Sequence, residues 1–213
     1  MAFSIQDYIA MLQLYVDQDF ISPYAMAVFV ALTEKGLPFE ALTRDLAGGE
    51  QFEPAYRAQS LTSRVPMLVD GDFHLSESSA IIEYLEEAYP DTARVLPGNV
   101  QQRARARQLQ AWLRSDLLPL RDERSTEVVY GMKPAQPLGE AARKAADKLI
   151  AVAEAVVPAD GGHLFGEWSV IDTELALLLK RLTREELPAR LADYVERQWQ
   201  RPAFAAWRAH QLR

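Results

Sequence analysis

The chain has 213 residues, with 23 Lys or Arg against 30 Asp or Glu, a net charge of −7. Apolar residues make up 49% and charged residues 25%, ordinary globular usage that excludes a disordered or collagen-like character. There is no cysteine, which excludes disulfides, thiolate metal sites, a CxxC redox motif and a thiol nucleophile carried by the protein.

The longest uninterrupted apolar run, Tyr24 to Leu32, is nine residues, well short of the roughly 20 that span a bilayer, so no membrane span is expected. The N-terminal stretch contains Asp7 and no Lys or Arg, so it does not read as a secretory signal; the missing cysteine is compatible with the cytosol, and a cytoplasmic location is the expectation. The three histidines, His74, His163 and His210, stand far apart without ligand spacing, and no metal is expected. Charge is uneven. Residues 1–90 hold 14 acidic and 4 basic residues, while residues 91–213 hold 16 acidic and 19 basic. Neither half is basic enough for a nucleic-acid footprint. The change falls at Tyr89-Pro-Asp-Thr-Ala-Arg-Val-Leu-Pro-Gly98, where two prolines and a glycine mark a connection. The expected organisation is residues 1–90 as one domain (1–10 an extension in which Ile5, Tyr8 and Ile9 pack on the surface or fray), 91–98 as linker, and 99–213 as a second domain.

Leu12 to Val16 reads as a first strand. Residues 22–36 then read as a helix, with Ser22 as N-cap, Pro23 at N1 and Gly36 just past the end. Ala25, Met26, Val28, Phe29, Val30 and Leu32 surround it with apolar side chains, the mark of a helix buried against a sheet. Phe39 to Leu46 reads as a strand and 51–60 as a short helix. Val65 to Leu75 reads as a hairpin turning at Asp70-Gly71, with Pro66 opening its first strand. Ser76 to Ala88 reads as a helix with Ile81, Ile82 and Leu85 on one face. The order β-α-β-α-β-β-α describes a small mixed sheet in which only the hairpin demands an antiparallel pair.

The second half carries almost no strand signal. Gln101 to Leu120, Leu138 to Val157, Ser169 to Leu182 and Pro188 to Gln198 are periodic helical stretches, and Arg201-Pro202 opens another with Phe204 and Trp207. Pro119 should end or kink the first of these helices.

Three places carry chemistry. The start of the first helix, Phe20-Ile-Ser-Pro-Tyr24, directs free backbone N–H groups and a partial positive charge at whatever lies above it, and Ser22 adds a hydroxyl; this suits an anion such as a thiolate, or a plain N-cap. At Val65-Pro66 a bend would turn the Val65 backbone outward to pair with a peptide-like ligand, although an edge-strand proline reads the same way. Ser76-Glu-Ser-Ser79 joins a helix start that suits a carboxylate with Glu77, which suits an ammonium; a serine cap with a favourable acidic neighbour is the plainer reading.

Taken in order, Leu14-Tyr15 with Ser22-Pro23, then Arg64-Val-Pro-Met-Leu68, then Leu75-Ser-Glu-Ser-Ser-Ala-Ile-Ile-Glu-Tyr-Leu85 resembles the thioredoxin-like half of cytosolic glutathione transferases. Gly166-Glu-Trp-Ser-Val-Ile-Asp-Thr-Glu-Leu-Ala176, with Ser169 and Asp172 as an S-x-x-D capping box, resembles the buried helix start of that family's helical half. Trp199 to Trp207 resembles its C-terminal helix. The likeness covers nearly the whole chain beyond residue 10. The stretch 104–124 resembles a serine-type bacterial subgroup associated with stress. The lack of cysteine departs from the omega and beta classes, and the lack of a Ser-Ser-Cys start departs from the zeta class.

The resemblance implies a thioredoxin-like domain followed by an all-helical one, glutathione as co-substrate and no metal. It implies Ser22 as the residue that stabilises the thiolate, with Tyr24 and Tyr15 as competitors for that role. It sets the Val65 backbone against the cysteinyl part, Pro66 as a cis-proline, Glu77 and Ser78 at the γ-glutamyl end, Arg64 near the glycyl carboxylate or in solvent, and Tyr24 beside the ligand. A free thiol titrates near 8.5. One charge-assisted hydrogen bond (about 1.5–3 kcal/mol) and a helix end (about 0.3–2 kcal/mol) would lower that by roughly one to three pKa units. The implied activity is conjugation of glutathione to electrophiles or reduction of hydroperoxides, in detoxification or stress response, by a homodimer. The implied electrophile is hydrophobic or anionic and binds between the domains against 103–124. Arg103, Arg107, Arg114 and Arg121 share a helical spacing there, either to meet an anion or as a solvated or dimer-contact face paired with Asp116, Asp122 and Glu123. Trp112 reads as core. A binding module without catalysis is the other reading, because fold alone does not give activity.

Overall fold

The computed structural model describes residues 11–211, so the extension singled out above, residues 1–10 with Ile5, Tyr8 and Ile9, lies outside the described residues. The chain divides between Ala93 and Arg94 into two compact units. The expected class is found: a four-stranded mixed sheet with helices, then an all-helical unit.

In the first unit β1 (Leu12–Asp17), α1 (Pro23–Lys35), β2 (Phe39–Arg44), α2 (Pro54–Gln59), β3 (Met67–Asp70), β4 (Phe73–Ser76) and α3 (Ser78–Ala88) follow one another, with a 3-10 turn at Glu50–Phe52 before α2. The sheet order is β2-β1-β3-β4. Only β1 and β2 run parallel. The β1–β3 pairing (Gln13 opposite Val69, Tyr15 opposite Met67) is antiparallel like the hairpin, so antiparallel pairing extends beyond the one pair that the sequence demanded. Leu12, Leu14 and Val16 alternate onto one buried face, while Tyr15 on the other meets Tyr56 of α2 edge-on at 5.5 Å. α1 is buried from Ala25 through Leu32 and lies beside α3. It ends where Gly36 adopts φ 66°, a left-handed cap that a side chain would strain.

Several boundaries differ from expectation: β1 runs one residue further, to Asp17, β2 ends at Arg44 before Leu46, and α2 begins at Pro54, with only the 3-10 turn ahead of it. The hairpin turns at Gly71-Asp72, with Asp70 still paired to Phe73; Gly71, at φ 59°, takes the first loop position, where positive φ is required. Asp70 stays in the strand because its carboxylate accepts the phenols of Tyr84 (2.7 Å) and Tyr89 (2.6 Å). The third helix begins at Ser78, since Ser76 completes β4 opposite Met67 and Glu77 breaks the direction with φ 74°.

The second unit contains α4 (Val100–Ser115), α5 (Leu118–Glu123), α6 (Thr126–Val129), α7 (Glu140–Val156), α8 (Val170–Leu179), α9 (Ala189–Trp199) and α10 (Pro202–Ala209). The helix expected through Leu120 stops at Ser115. The break comes before Pro119, at Leu117, whose φ is 63°. Asp116 holds it by accepting from Leu117 N–H (2.7 Å), Trp112 Nε1 (2.9 Å) and Lys148. Pro119 instead sits in the first turn of α5, where a missing N–H costs nothing. α8 is buried along its whole length, and Leu113, Leu120, Leu149, Leu175, Leu179 and Tyr194 meet in the core around it, with Trp112 packed against that cluster.

Ser169 and Asp172 form the capping box of α8. Asp172, with no exposed surface, accepts from Ser169 N–H (2.9 Å), Leu164 N–H (2.9 Å) and Tyr194 OH (3.0 Å). Burial, then the Asp172 charge, pushes the Tyr194 phenol well above its ordinary value.

Candidate functional site

Strand direction gathers the three chemistry-bearing segments. β1 runs toward Asp17 and the loop to Ser22. Antiparallel β3 begins beside Tyr15, so Val65-Pro66 lie at that same end of the sheet. Antiparallel β4 finishes beside Met67, and Glu77-Ser78 follow there. The starts of α1 and α3 and the lead into β3 thus occupy the ends of three neighbouring strands, which at the usual interstrand spacing span about 10 Å.

Ser22 is the N-cap of α1: its backbone is extended (φ −65°, ψ 119°) and its Oγ accepts from Ala25 N–H at 3.3 Å. A hydroxyl that accepts still has a hydrogen to donate. Pro23 at N1 gives up no needed N–H. Tyr24 follows, half-buried, in the first turn. Tyr15 is engaged elsewhere, with the Arg44 guanidinium 4.6 Å above its ring and Tyr56 at its edge.

Asp17 underlies Ser22. This side chain is 5% exposed, and its two carboxylate oxygens accept from Ile21 N–H (2.7 Å) and Ser22 N–H (3.0 Å). Burial pushes its carboxyl above the ordinary value; the two N–H groups pull the other way.

The Val65–Pro66 peptide bond is cis. Arg64 is exposed, Val65 half-buried and Pro66 buried. The Arg64 carbonyl accepts the phenol of Tyr56 at 2.8 Å. Tyr56 is buried, and its phenol is pushed up to about 12, chiefly by that burial. At the third segment Glu77 is exposed and Ser78, the first residue of α3, is buried. Asp17 and Tyr56 escaped the sequence reading. The one signal for Asp17 was an acidic residue closing an apolar strand five residues before the serine.

Three of the four arginines, Arg103, Arg107 and Arg114, keep the shared helical spacing along α4, and the fourth does not. Arg121 belongs to α5, beyond the break, and donates to the carbonyls of Arg114 (2.9 Å) and Asp116 (2.8 Å). Arg114 clamps Glu174 of α8 with two bonds of 2.8 Å, and Arg103 donates to the Pro97 carbonyl at 3.1 Å. Of the acids expected to pair with them, Asp116 pairs instead with Lys148. Burial of Glu174 on α8 explains the exchange, since a buried carboxylate needs a bidentate partner more than an exposed one does. Among the described residues no group of three or more His, Cys, Asp or Glu side chains is arranged to hold a metal, and no helix is long and apolar enough to cross a membrane.

Residues 19–93 match the family model for the glutathione S-transferase N-terminal domain, and residues 99–211 match that for the C-terminal domain. The chain belongs to the glutathione S-transferase family. A crystal structure of a glutathione transferase homolog from Burkholderia, with bound glutathione, is 43% identical to this transferase-family chain. That alignment covers 95% of this chain and 98% of the other, with a TM-score of 0.80. Among curated relatives, mouse glutathione S-transferase theta-3 is 36% identical over 101 residues, covering 47% of this chain and 41% of the relative. Arabidopsis thaliana glutathione S-transferase F10 is 40% identical over 85 residues, 39% of this chain and 38% of the relative. The chain thus spans about two fifths of the length of the curated relatives it matches.

Proposed function

We propose that this chain binds glutathione across the three strand ends, and that Ser22 stabilises the glutathione thiolate for attack on an electrophile. The observation that carries the reading is the alignment of three ligand-ready features along one sheet end. They are the capped start of α1 at Ser22, the lead into β3 at Val65-Pro66, and the start of α3 at Glu77-Ser78. Their span of about 10 Å equals the length of an extended tripeptide at about 3.3 Å per residue. The bound glutathione in the 43% identical Burkholderia structure supports it independently.

In this reading the γ-glutamyl ammonium meets the Glu77 carboxylate, and the α-carboxylate meets the Ser78 hydroxyl at the positive end of α3. The cysteinyl part pairs with the Val65 backbone beside Pro66, and the glycyl carboxylate lies within reach of exposed Arg64. The sulfur sits over the start of α1, where Ser22 donates its hydroxyl hydrogen and Tyr24 flanks it. The thiol proton leaves to solvent. The thiolate then forms a carbon–sulfur bond as the leaving group departs with its electron pair. With a hydroperoxide, two glutathione molecules become the disulfide while the peroxide becomes an alcohol and water. A hydrophobic or anionic electrophile and a second copy of the chain are the partners that go with this reading.

The test is a pH titration of thiolate absorbance for glutathione bound to the protein. The expected result is a thiol that titrates at least one pH unit below free glutathione. No binding, or a bound thiol that titrates like the free one, would overturn the catalytic reading and leave a carrier or protein-interaction role.

A further inference from the structure

We propose that Asp17 is a positioning residue for Ser22, setting the direction of its hydroxyl through the two backbone N–H groups that the carboxylate holds. The proposal rests on the glutathione reading above and adds to it a residue that touches neither ligand nor sulfur.

Asp17 holds the loop from β1 to α1 at three points. Its carbonyl accepts from Phe20 N–H at 3.1 Å, and its two carboxylate oxygens divide Ile21 N–H and Ser22 N–H between them. The next residue is tied too, as Gln18 N–H donates to the Arg44 carbonyl of β2 at 3.0 Å. The chain therefore leaves the sheet only after Gln18 and has four residues in which to reach the helix cap.

Within those four residues Phe20 adopts φ 53°, a left-handed conformation that a bulky residue rarely takes. Its ring is buried, at 5% exposure, so the turn is anchored below by packing and above by the carboxylate. A loop that contains a disfavoured backbone state keeps it only while its surroundings over-determine it. The bond to Ser22 N–H fixes the peptide plane from which the Ser22 side chain departs. That direction must be right at both ends of the hydroxyl, because its oxygen accepts from Ala25 N–H while its hydrogen is offered to the sulfur.

The two acceptors cannot be replaced one for one by an amide. In Asp17→Asn the side chain keeps its shape, but one of its two ends becomes an NH2 group facing a backbone N–H. One of the two bonds is lost and two donors oppose each other, so the loop shifts without the loss of any packed atom.

The experiment is a cycle of four proteins: wild type, Asp17→Asn, Ser22→Ala and the double variant. Each is assayed for conjugation with a chromogenic aryl halide and for the titration of bound glutathione, and each is checked by thermal unfolding. The expected result for Asp17→Asn is a kcat lower by about 10- to 100-fold, the range for a small misplacement of a reacting group, with KM for glutathione changed less than about threefold. The bound thiol should titrate closer to its free value. In the Ser22→Ala background the same substitution should cost less than about twofold, because residues that act as a unit are not additive. Equal losses in both backgrounds, or a kcat unchanged by Asp17→Asn in a folded protein, would overturn the positioning role. A wild-type protein that fails to lower the thiol pKa would instead overturn the glutathione reading, and the positioning role with it.

Discussion

The phenol of Tyr56 donates a hydrogen bond of 2.8 Å to the backbone carbonyl of Arg64, the residue that leads into the Val65–Pro66 bend. The tyrosine is fixed from two sides: Tyr15 of β1 meets its ring edge-on, and the Arg44 guanidinium lies 5.4 Å from the ring centre. A rigid aromatic from α2 thereby sets the height of the one segment whose backbone, in the proposed function, pairs with the peptide. Tyr56→Phe keeps the ring and removes only this bond. A neutral hydrogen bond contributes about 0.5–1.5 kcal/mol, so KM for glutathione should rise about 2- to 10-fold with little change in kcat. Steady-state kinetics at saturating electrophile measure this; an unchanged KM would free the Arg64 carbonyl of any role in binding.

Ser22→Ala should have the opposite profile. The hydroxyl's bond to a thiolate exists only once the proton has left, so its loss falls on turnover. A hydrogen bond to a charged group is worth about 1.5–3 kcal/mol, which predicts a kcat lower by about 10- to 100-fold with KM for glutathione nearly constant. The variant also loses its N-cap, at about 0.5–2 kcal/mol of stability. Ser22→Thr separates the two effects, because threonine retains both the cap and the donor. It should recover most of the turnover; if it recovers stability alone, the hydroxyl serves only the helix.

Features governed by neighbours in sequence were legible. Ser22, Pro23 and Gly36 delimit α1 through local backbone chemistry, and Ser169 with Asp172 announces α8 in the same way. Features governed by distant partners were not. The hairpin turns one residue later than Asp70-Gly71 suggests, because the pairing of Asp70 with Phe73 and the phenols of Tyr84 and Tyr89 keep Asp70 in the strand. The break at Leu117 has no glycine or proline at its centre. It depends on Asp116, which a lysine from α7 and the indole of Trp112 reach only in the folded chain. Asp17 and Tyr56 were illegible for another reason, since their partners lie only four to eight residues away. An acid at a strand end and a tyrosine in a short helix look like surface residues until the irregular loop that follows each one turns its backbone groups back toward the side chain.

Lys35 and Glu86 join α1 to α3 by an ion pair at 3.4 Å, with side chains 1% and 4% exposed. The lysine also donates to the Ala93 carbonyl at 3.1 Å, so it ties down the chain where the first unit ends. Removing one member of a buried pair leaves the other charge in a poor solvent, at a cost of about 3–5 kcal/mol. Lys35→Met should therefore destabilise strongly in a denaturant titration. Lys35→Met combined with Glu86→Leu should recover a large part of that loss, since the buried charge is gone. A double variant as unstable as the single one would show that the Ala93 carbonyl, and not Glu86, is the partner that matters.

Asp172 gathers donors from three segments: Ser169 at the start of α8, Leu164 before it and Tyr194 of α9. Asp172→Asn leaves the volume unchanged but turns one acceptor into a donor that faces backbone N–H groups. The expected loss is about 2–4 kcal/mol, or roughly 5–15 °C in Tm for a chain of this length. Tyr194→Phe removes one donor and leaves the capping box intact, so it should cost about 1 kcal/mol. Thermal unfolding of the two variants side by side checks the order; a larger loss in Tyr194→Phe would move the centre of this network from the helix cap to the phenol.

Asp116 gives the α4–α5 corner a pH dependence of definite sign. The Lys148 ammonium, then Leu117 N–H and the Trp112 indole, lower its carboxyl to about 2 from an ordinary 3.8. The folded protein thus holds this proton less tightly than the unfolded chain does. The stabilisation from Asp116 is complete above pH 3.8 and disappears as pH falls through about 2. Asp116→Asn, which cannot ionise, should unfold at a lower temperature than wild type at pH 6. The gap should narrow between pH 4 and 2 and close at lower pH. Because the pair is exposed, salt should shrink the gap at pH 6 as well. A gap that stays constant from pH 6 to 2 would assign the corner to the shape of the side chain, with no part for its charge.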